Sequence, residues 1–212
     1  MKALLLNNFT SLHHKQPGTI LLDEQSVKGV VSLNDDVACR SCIPFFSVSC
    51  EHEVLKLDTQ NTSISVVNIE KFLDNFDDIK GRRCDFLIFD SDKIVLLDMT
   101  CSMEEYLSPH LVDGFPQQGK RLVARTQIEH TLDILTAEPS ILAYINNKEK
   151  KEGVLAYRAK DEDLFSNVPK AIEKTTNVWL RMEEDFESRK LSFPMSYGFV
   201  FKSIKYPEVY NW

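Results

Sequence analysis

The chain has 212 residues, enough for one sizeable domain or for a domain with an appended subdomain. Thirteen Phe and a hydrophobic fraction of 43% exclude a disordered chain, because this composition can bury a substantial core. The formal net charge of −7 argues against a protein that coats nucleic acid through its overall charge, but metal-binding carboxylates keep a nuclease compatible with it. Only seven Gly are present, and no glycine-rich phosphate loop is found, which excludes most kinase, P-loop and Rossmann folds.

The N-terminal apolar run, Ala3 to Leu6, is too short for the core of a signal peptide. No later stretch approaches the length of a membrane span. We therefore expect a cytoplasmic protein with no membrane association. Five Cys in a reducing compartment favour buried thiols or a metal site over a disulfide framework.

Residues 1–66 are predicted to form a β-rich N-terminal extension, because short apolar or alternating runs are separated by polar clusters. The predicted strands of this extension are Ala3–Leu6, Thr19–Leu22, Gly29–Leu33 and Phe45–Leu57. From Val67 to Ile79 the apolar residues recur every three or four positions, which predicts an amphipathic helix.

Residues 67–158 are predicted to form the core and residues 159–212 to pack on it, most simply as one compact domain. After the first helix we predict two strands, a second helix, a strand, a third helix and a final strand. Their predicted bounds are Cys84–Phe89, Ile94–Met99, Lys120–Leu135, Gly153–Tyr157, Val168–Ser188 and Tyr197–Ile204. This order predicts a mixed α/β fold, a central sheet flanked by helices.

A polar turn between the first two core strands sets their register. If the turn is centred between Ser91 and Asp92, paired residues have numbers that sum to 183, so Asp85 lies opposite Asp98. A three-residue turn would remove this register. Like charges directly opposite each other are destabilising unless a hard divalent cation, such as Mg²⁺, lies between them. The alternative is that both carboxylates simply end their strands in solvent.

This arrangement resembles the PD-(D/E)xK nuclease superfamily, the restriction-endonuclease-like fold, over residues 67–158. In that family a helix with an acidic residue precedes a hairpin whose first strand supplies Asp and whose second supplies (D/E)xK. The resemblance implies that Glu70 or Asp74 is the helix acid, and that Asp85 and Asp98 are the motif carboxylates. It also implies an Mg²⁺ or Mn²⁺ ion, held by Asp85, Asp98, Glu70 and the Met99 carbonyl.

Thr100 occupies the position where the family pattern has Lys. That cation normally orients the attacking water and offsets charge on the phosphate. Some relatives carry it on the following helix, where Lys120 and Arg125 are candidates. Arg83, opposite Thr100 in the predicted register, is a third.

Four residues, Cys39, Cys42, Cys50 and His52, have a spacing that could hold zinc. We favour buried thiols and a strand histidine here, because the second pair is atypical. Gln127, on the second predicted helix, is similar to a helical Gln of some exonuclease relatives, but the Tyr that accompanies it there is Thr131 here.

Three functional hypotheses are consistent with these residues. The first is a metal-dependent nuclease acting on DNA or RNA, with the resemblance implying a setting in bacterial or antiviral defence. The second is a catalytically degenerate subunit that acts as a scaffold or recognition component of a larger complex. The third is a zinc-stabilised interaction module. A nucleic-acid substrate and a protein partner are both expected.

Overall fold

The computed structural model describes residues 1–34, 53–102, 104–112, 115–159 and 178–212. Within these ranges the predicted mixed α/β fold is confirmed: helices cover one face of a six-stranded sheet, and a three-stranded sheet covers the other. No helix in these ranges is both long enough and apolar enough to cross a membrane.

The central sheet contains antiparallel and parallel pairs. Its strands are β1 (Glu24–Val27), β4 (Ile64–Asn68), β5 (Phe86–Phe89), β6 (Lys93–Ser102), β9 (Lys150–Ala159) and β10 (Val200–Lys205). Their order across the sheet is β1-β4-β5-β6-β9-β10. The pairs β1–β4, β4–β5 and β5–β6 are antiparallel, whereas β6–β9 and β9–β10 are parallel.

The second sheet combines strands from both ends of the chain. It consists of β2 (Val30–Asn34), β3 (Glu53–Asp58) and β11 (Val209–Asn211), in the order β11-β3-β2. A small ribbon is formed by β7 (His110–Val112) and β8 (Phe115–Gln117).

The helices cover the face of the central sheet that is opposite the three-stranded sheet. They are α1 (Thr10–Leu12), which continues a π-helical segment at Leu4–Phe9, then α2 (Ile69–Leu73), α3 (Lys120–Thr136), α4 (Pro139–Asn146) and α5 (Val178–Ser192). Short 3-10 turns occur at Glu104–Leu107 and Ser196–Gly198.

Two hydrophobic cores explain why β5 and β6 are almost continuously apolar. Leu87 and Leu96 pack with the helices, whereas Phe86 and Leu97 pack against the three-stranded sheet. A strand with a layer on each face has no polar side, so its sequence does not alternate. The two strands predicted at Cys84–Phe89 and Ile94–Met99 are confirmed; β5 begins two residues later than predicted, and β6 is longer by one residue at its start and three at its end.

The helix predicted from Val67 to Ile79 is much shorter than expected. Val67 belongs to β4, and the regular helix covers only Ile69–Leu73. The Asn75 side-chain amide donates hydrogen bonds to the carbonyls of Lys71 and Phe72, which would otherwise accept from the next helical turn. The segment continues as turns, and its apolar side chains at Phe76 and Ile79 still reach the core.

The strand predicted at Ala3–Leu6 is wrong. This segment is helical, and Leu5 and Phe9, four residues apart, are fully buried against the helix-side core. Thr19–Leu22 forms no regular strand either, and the first strand begins at Glu24. Within the described residues, the predicted Phe45–Leu57 strand corresponds to β3, and the predicted Val168–Ser188 helix corresponds to α5; the rest of each lies outside the description.

Candidate active site

The β5–β6 hairpin has the predicted register. Leu87 pairs with Leu96 and Phe89 with Ile94, so the numbers sum to 183. The turn is fixed by Asp90, whose carboxylate accepts hydrogen bonds from the backbone N–H groups of Asp92 (2.8 Å) and Lys93 (2.7 Å). This local bonding within the turn sets the position of every residue pair toward the other end of the hairpin.

Asp85 and Asp98 lie at that other end. Asp85 precedes β5, and its N–H donates to the Leu97 carbonyl at 3.0 Å. Its carboxylate accepts from the backbone N–H of Met99 at 2.7 Å, so the first motif residue is bonded directly to the strand that carries the second. Asp98 lies within β6 and is 7% exposed. It has the same strand parity as Leu96 and therefore faces the helix side of the sheet.

Glu70 is brought to this end of the hairpin by the start of α2. The backbone N–H groups of Ile69 and Glu70 donate to the Asp85 carbonyl at 3.0 and 3.4 Å. Asn68 caps the helix by accepting from the N–H of Lys71 at 2.9 Å. Although Glu70 is exposed as a whole residue, desolvation of its carboxyl and the nearby charge of Asp74 raise its pKa, and Arg83 acts in the opposite direction.

One cavity of about 330 Å³, which we call the carboxylate cavity, contains most of the predicted residues. Its lining comprises Glu70, Arg82, Asp85, Asp98, Met99, Thr100, Lys120, Val123, Gln127 and Leu155. Lys120 is half-buried and is the first residue of α3, where the sequence analysis expected a replacement for the motif lysine. Thr100 lines the same cavity, at the position where the family pattern has that lysine.

The two other candidate cations do not line this cavity. The Arg83 guanidinium pairs with Asp74 and donates to the Ile79 carbonyl at 3.4 Å, so these partners hold it beside the cavity lining and not within it. The pairing also commits Asp74 elsewhere, which leaves Glu70 as the helix acid of the cavity.

Arg125 is buried and holds the end of α5. It donates to the carbonyls of Lys190, Phe193 (3.0 Å) and Pro194 (3.3 Å), and it pairs with Glu129 at 3.0 Å. These acceptors use the whole guanidinium, so Arg125 joins α3 to the end of α5. It does not line the carboxylate cavity.

Sequence reasoning missed Arg82 and gave Gln127 little weight, yet both line the carboxylate cavity. The Gln127 side-chain amide donates to the Arg83 carbonyl at 3.1 Å, which ties α3 to the segment before β5. The sequence offers two adjacent arginines, and because the segment between Gly81 and β5 is not a strand, alternation could not decide which one faces the cavity.

The zinc constellation of Cys39, Cys42, Cys50 and His52 lies outside the described residues. Within the ranges that the structure describes, no three His, Cys, Asp or Glu side chains are grouped closely enough to form a complete metal site by themselves.

A comparison of the chain with protein-family models, with curated proteins and with solved structures finds no match.

Proposed function

We propose that this chain is a metal-dependent phosphodiester hydrolase, a nuclease that acts on DNA or RNA at the carboxylate cavity. One observation carries the proposal: acidic side chains from three consecutive elements, Glu70, Asp85 and Asp98, line one cavity together with Lys120. A cavity that combines several acidic groups with a cation is suited to a metal ion and a phosphate at once.

The donor set fits Mg²⁺ or Mn²⁺. Mg²⁺ is usually held by one or two carboxylates, with water and substrate oxygens completing its shell, so a ready-made cluster of three acidic groups is not required. Asp85 and Asp98 would hold the ion, with the Met99 carbonyl as a further oxygen ligand and Glu70 contacting water bound to it. These donors are all oxygen atoms, which disfavours zinc. When bound, such an ion would activate water and stabilise the leaving oxygen.

The side chains of the chain supply the other parts of hydrolysis. A water oxygen forms a bond to phosphorus, the bond from phosphorus to the leaving sugar oxygen breaks, and that oxygen gains a proton. Glu70 is the most solvent-exposed of the acidic residues that line the cavity, so it is the one placed to pass the proton of the attacking water to bulk solvent. The Lys120 ammonium binds a non-bridging phosphate oxygen and offsets its growing charge, which is the role of the motif lysine in the similar family.

The second candidate function is binding without hydrolysis, as a degenerate recognition or scaffold subunit. Thr100 favours it, because the motif lysine is replaced by a residue that carries no charge. The two functions differ in whether Lys120 takes the place of that lysine.

The test is cleavage of single- and double-stranded DNA and RNA in Mn²⁺ or Mg²⁺. We expect Asp98→Asn to lower the rate on the order of 10³-fold, and Lys120→Met to lower it about 10²–10³-fold. Two exposed positions provide matched controls: Asp77→Asn, where the side chain is 94% exposed, and Lys28→Met. Both controls should cleave as the wild type does.

Activity that survives Asp98→Asn would contradict the site. Activity lost in Asp98→Asn but kept in Lys120→Met would refute the role of Lys120 while leaving the enzyme in place. A folded wild-type protein that cleaves none of the four substrates, but binds one of them, would favour the degenerate subunit.

A further inference from the structure

A second cavity, of about 280 Å³, lies beside the carboxylate cavity. It is lined by Arg82, Gln118, Val123, Thr126, Gln127 and His130. Three of these residues, Arg82, Val123 and Gln127, line both cavities, so the two are continuous. We call the second cavity the α3 groove.

One wall of the groove is a face of α3. Val123, Gln127 and His130 recur at intervals of four and three, so they lie on one side of the helix. Together with Lys120 they span eleven residues of helix, and the ten rises between the first and the last give a length of ~15 Å. At the stacked spacing of about 3.4 Å per nucleotide, this length accommodates about four nucleotides of one strand.

The other wall is the segment before β5, and two hydrogen bonds fasten it to α3. His130 Nε2 donates to the Lys80 carbonyl at 2.7 Å, and the Gln127 amide donates to the Arg83 carbonyl at 3.1 Å. Arg82 lies between these two anchors and lines both cavities. Because its neighbours on each side are held, the backbone that presents Arg82 is already ordered before any ligand binds.

The charges of the two cavities differ. Acidic side chains line only the carboxylate cavity, whereas the α3 groove is lined by Arg82, His130 and neutral side chains. Within the described part of the chain, no hydrogen bond or ion pair engages the side chains of Arg82 or Lys120. Both cations are thus available for an anion, and Val123 and the Thr126 methyl offer apolar surface for a sugar or base.

We infer that the α3 groove binds the nucleic-acid strand beside the scissile phosphate, with Arg82 on a backbone phosphate and Gln118 on the adjoining nucleotide. This inference rests on the proposed function and sharpens it. The substrate is a polynucleotide strand, and a mononucleotide or a small phosphodiester would fill only the carboxylate cavity.

The test measures binding separately from cleavage. Fluorescence anisotropy of a labelled single-stranded 12-nucleotide DNA or RNA, in Ca²⁺ or in EDTA, gives the dissociation constant at several salt concentrations. We expect Arg82→Met to weaken binding about 10-fold and to lower the salt slope by about 0.7, the value for one lost phosphate contact on a single strand. Arg189→Met, an exposed position on α5, is the matched control, and thermal unfolding checks that each variant is folded.

A second readout distinguishes failure of the groove from failure of the enzyme. In Mn²⁺, bis-p-nitrophenyl phosphate occupies only the carboxylate cavity, so the ratio of kcat/KM for the oligonucleotide to kcat/KM for this small diester measures the groove separately from the chemistry; Arg82→Met should lower that ratio about 10-fold. Wild-type binding and salt slope in Arg82→Met, or no oligonucleotide binding by the wild type at low salt, would overturn the groove even if the small diester is cleaved. Binding that depends on Arg82, with no hydrolysis of either substrate, would support the groove and refute the nuclease.

Discussion

Glu187 on α5 should make the stability of this protein fall as the pH rises toward neutrality. The residue is 4% exposed and lies against the start of α3, where its carboxylate approaches the Gly119 backbone. Burial raises its pKa from 4.5 to about 7, with Glu183 and Glu184 adding repulsion, while Arg121 and the Gly119 N–H act in the opposite direction. The folded protein therefore keeps a proton on Glu187 at pH values where the unfolded chain has lost it.

The sign of the effect follows from proton binding. Between pH 4.5 and about 7 the folded state binds more protons than the unfolded state, so the free energy of unfolding decreases as the pH rises. The loss is complete above about pH 7 and amounts to about 3 kcal/mol at 1.36 kcal/mol per pKa unit. Glu187→Gln removes the ionisable group, so this variant should be more stable than the wild type at pH 8 by up to that amount.

Urea unfolding at pH 5 and pH 8 measures the difference. We compare the pH-induced change in the free energy of unfolding between wild type and Glu187→Gln, which cancels the titration of all other groups. Asp185→Asn, an exposed position on the same helix, should show the same pH-induced change as the wild type. Equal changes in wild type and Glu187→Gln between pH 5 and pH 8 would refute the reasoning.

Three further predictions concern the elements around the cavity. Gly119→Ala should lower the free energy of unfolding by about 1–3 kcal/mol in urea titrations, because a Cβ there would lie 2.6 Å from the Leu107 carbonyl oxygen. That oxygen belongs to the backbone and cannot move aside easily. An unchanged unfolding midpoint would contradict this prediction. Arg125→Met should cost about 3 kcal/mol in the same assay, since it leaves the carbonyls at the end of α5 without their donor; a loss below about 0.5 kcal/mol would show that the connection is dispensable. Cys84 is fully buried, and burial raises the pKa of its thiol well above the ordinary value. Mass mapping after iodoacetamide treatment should therefore find Cys84 modified only in denaturant. Modification in the native protein would refute its burial.

The hairpin could be predicted because its determinants are local. Asp90 and the residues after it form a turn whose hydrogen bonds lie within four positions, and the apolar runs on each side then align by counting. The helix that begins at Lys120 could also be predicted, since apolar residues recur at helical spacing from Leu122 onward and Gly119 precedes them.

Which cations line the carboxylate cavity could not be predicted, because this depends on contacts between segments distant in sequence. The choice of Arg82 over Arg83 for the cavity depends on Asp74 and on two α3 side chains that hold the segment. Arg125 was considered as a cavity cation because nothing local reveals that α5 ends beside it.

Another omission was avoidable. α4 was not predicted, although Pro139 in its first turn and the apolar pair Ile141 and Ile145, four residues apart, are recognised helix signals.

The most direct measurement of the central claim is a crystal structure of the protein soaked in Mn²⁺, with the ion located by its anomalous scattering. We expect a peak in the carboxylate cavity within about 2.0–2.6 Å of oxygens from both Asp85 and Asp98, the distances usual for hard divalent cations. The same soak of Asp98→Asn should show the peak lost or greatly weakened. Manganese bound only at exposed carboxylates such as Asp77, with none in the carboxylate cavity, would contradict a metal site at Asp85 and Asp98.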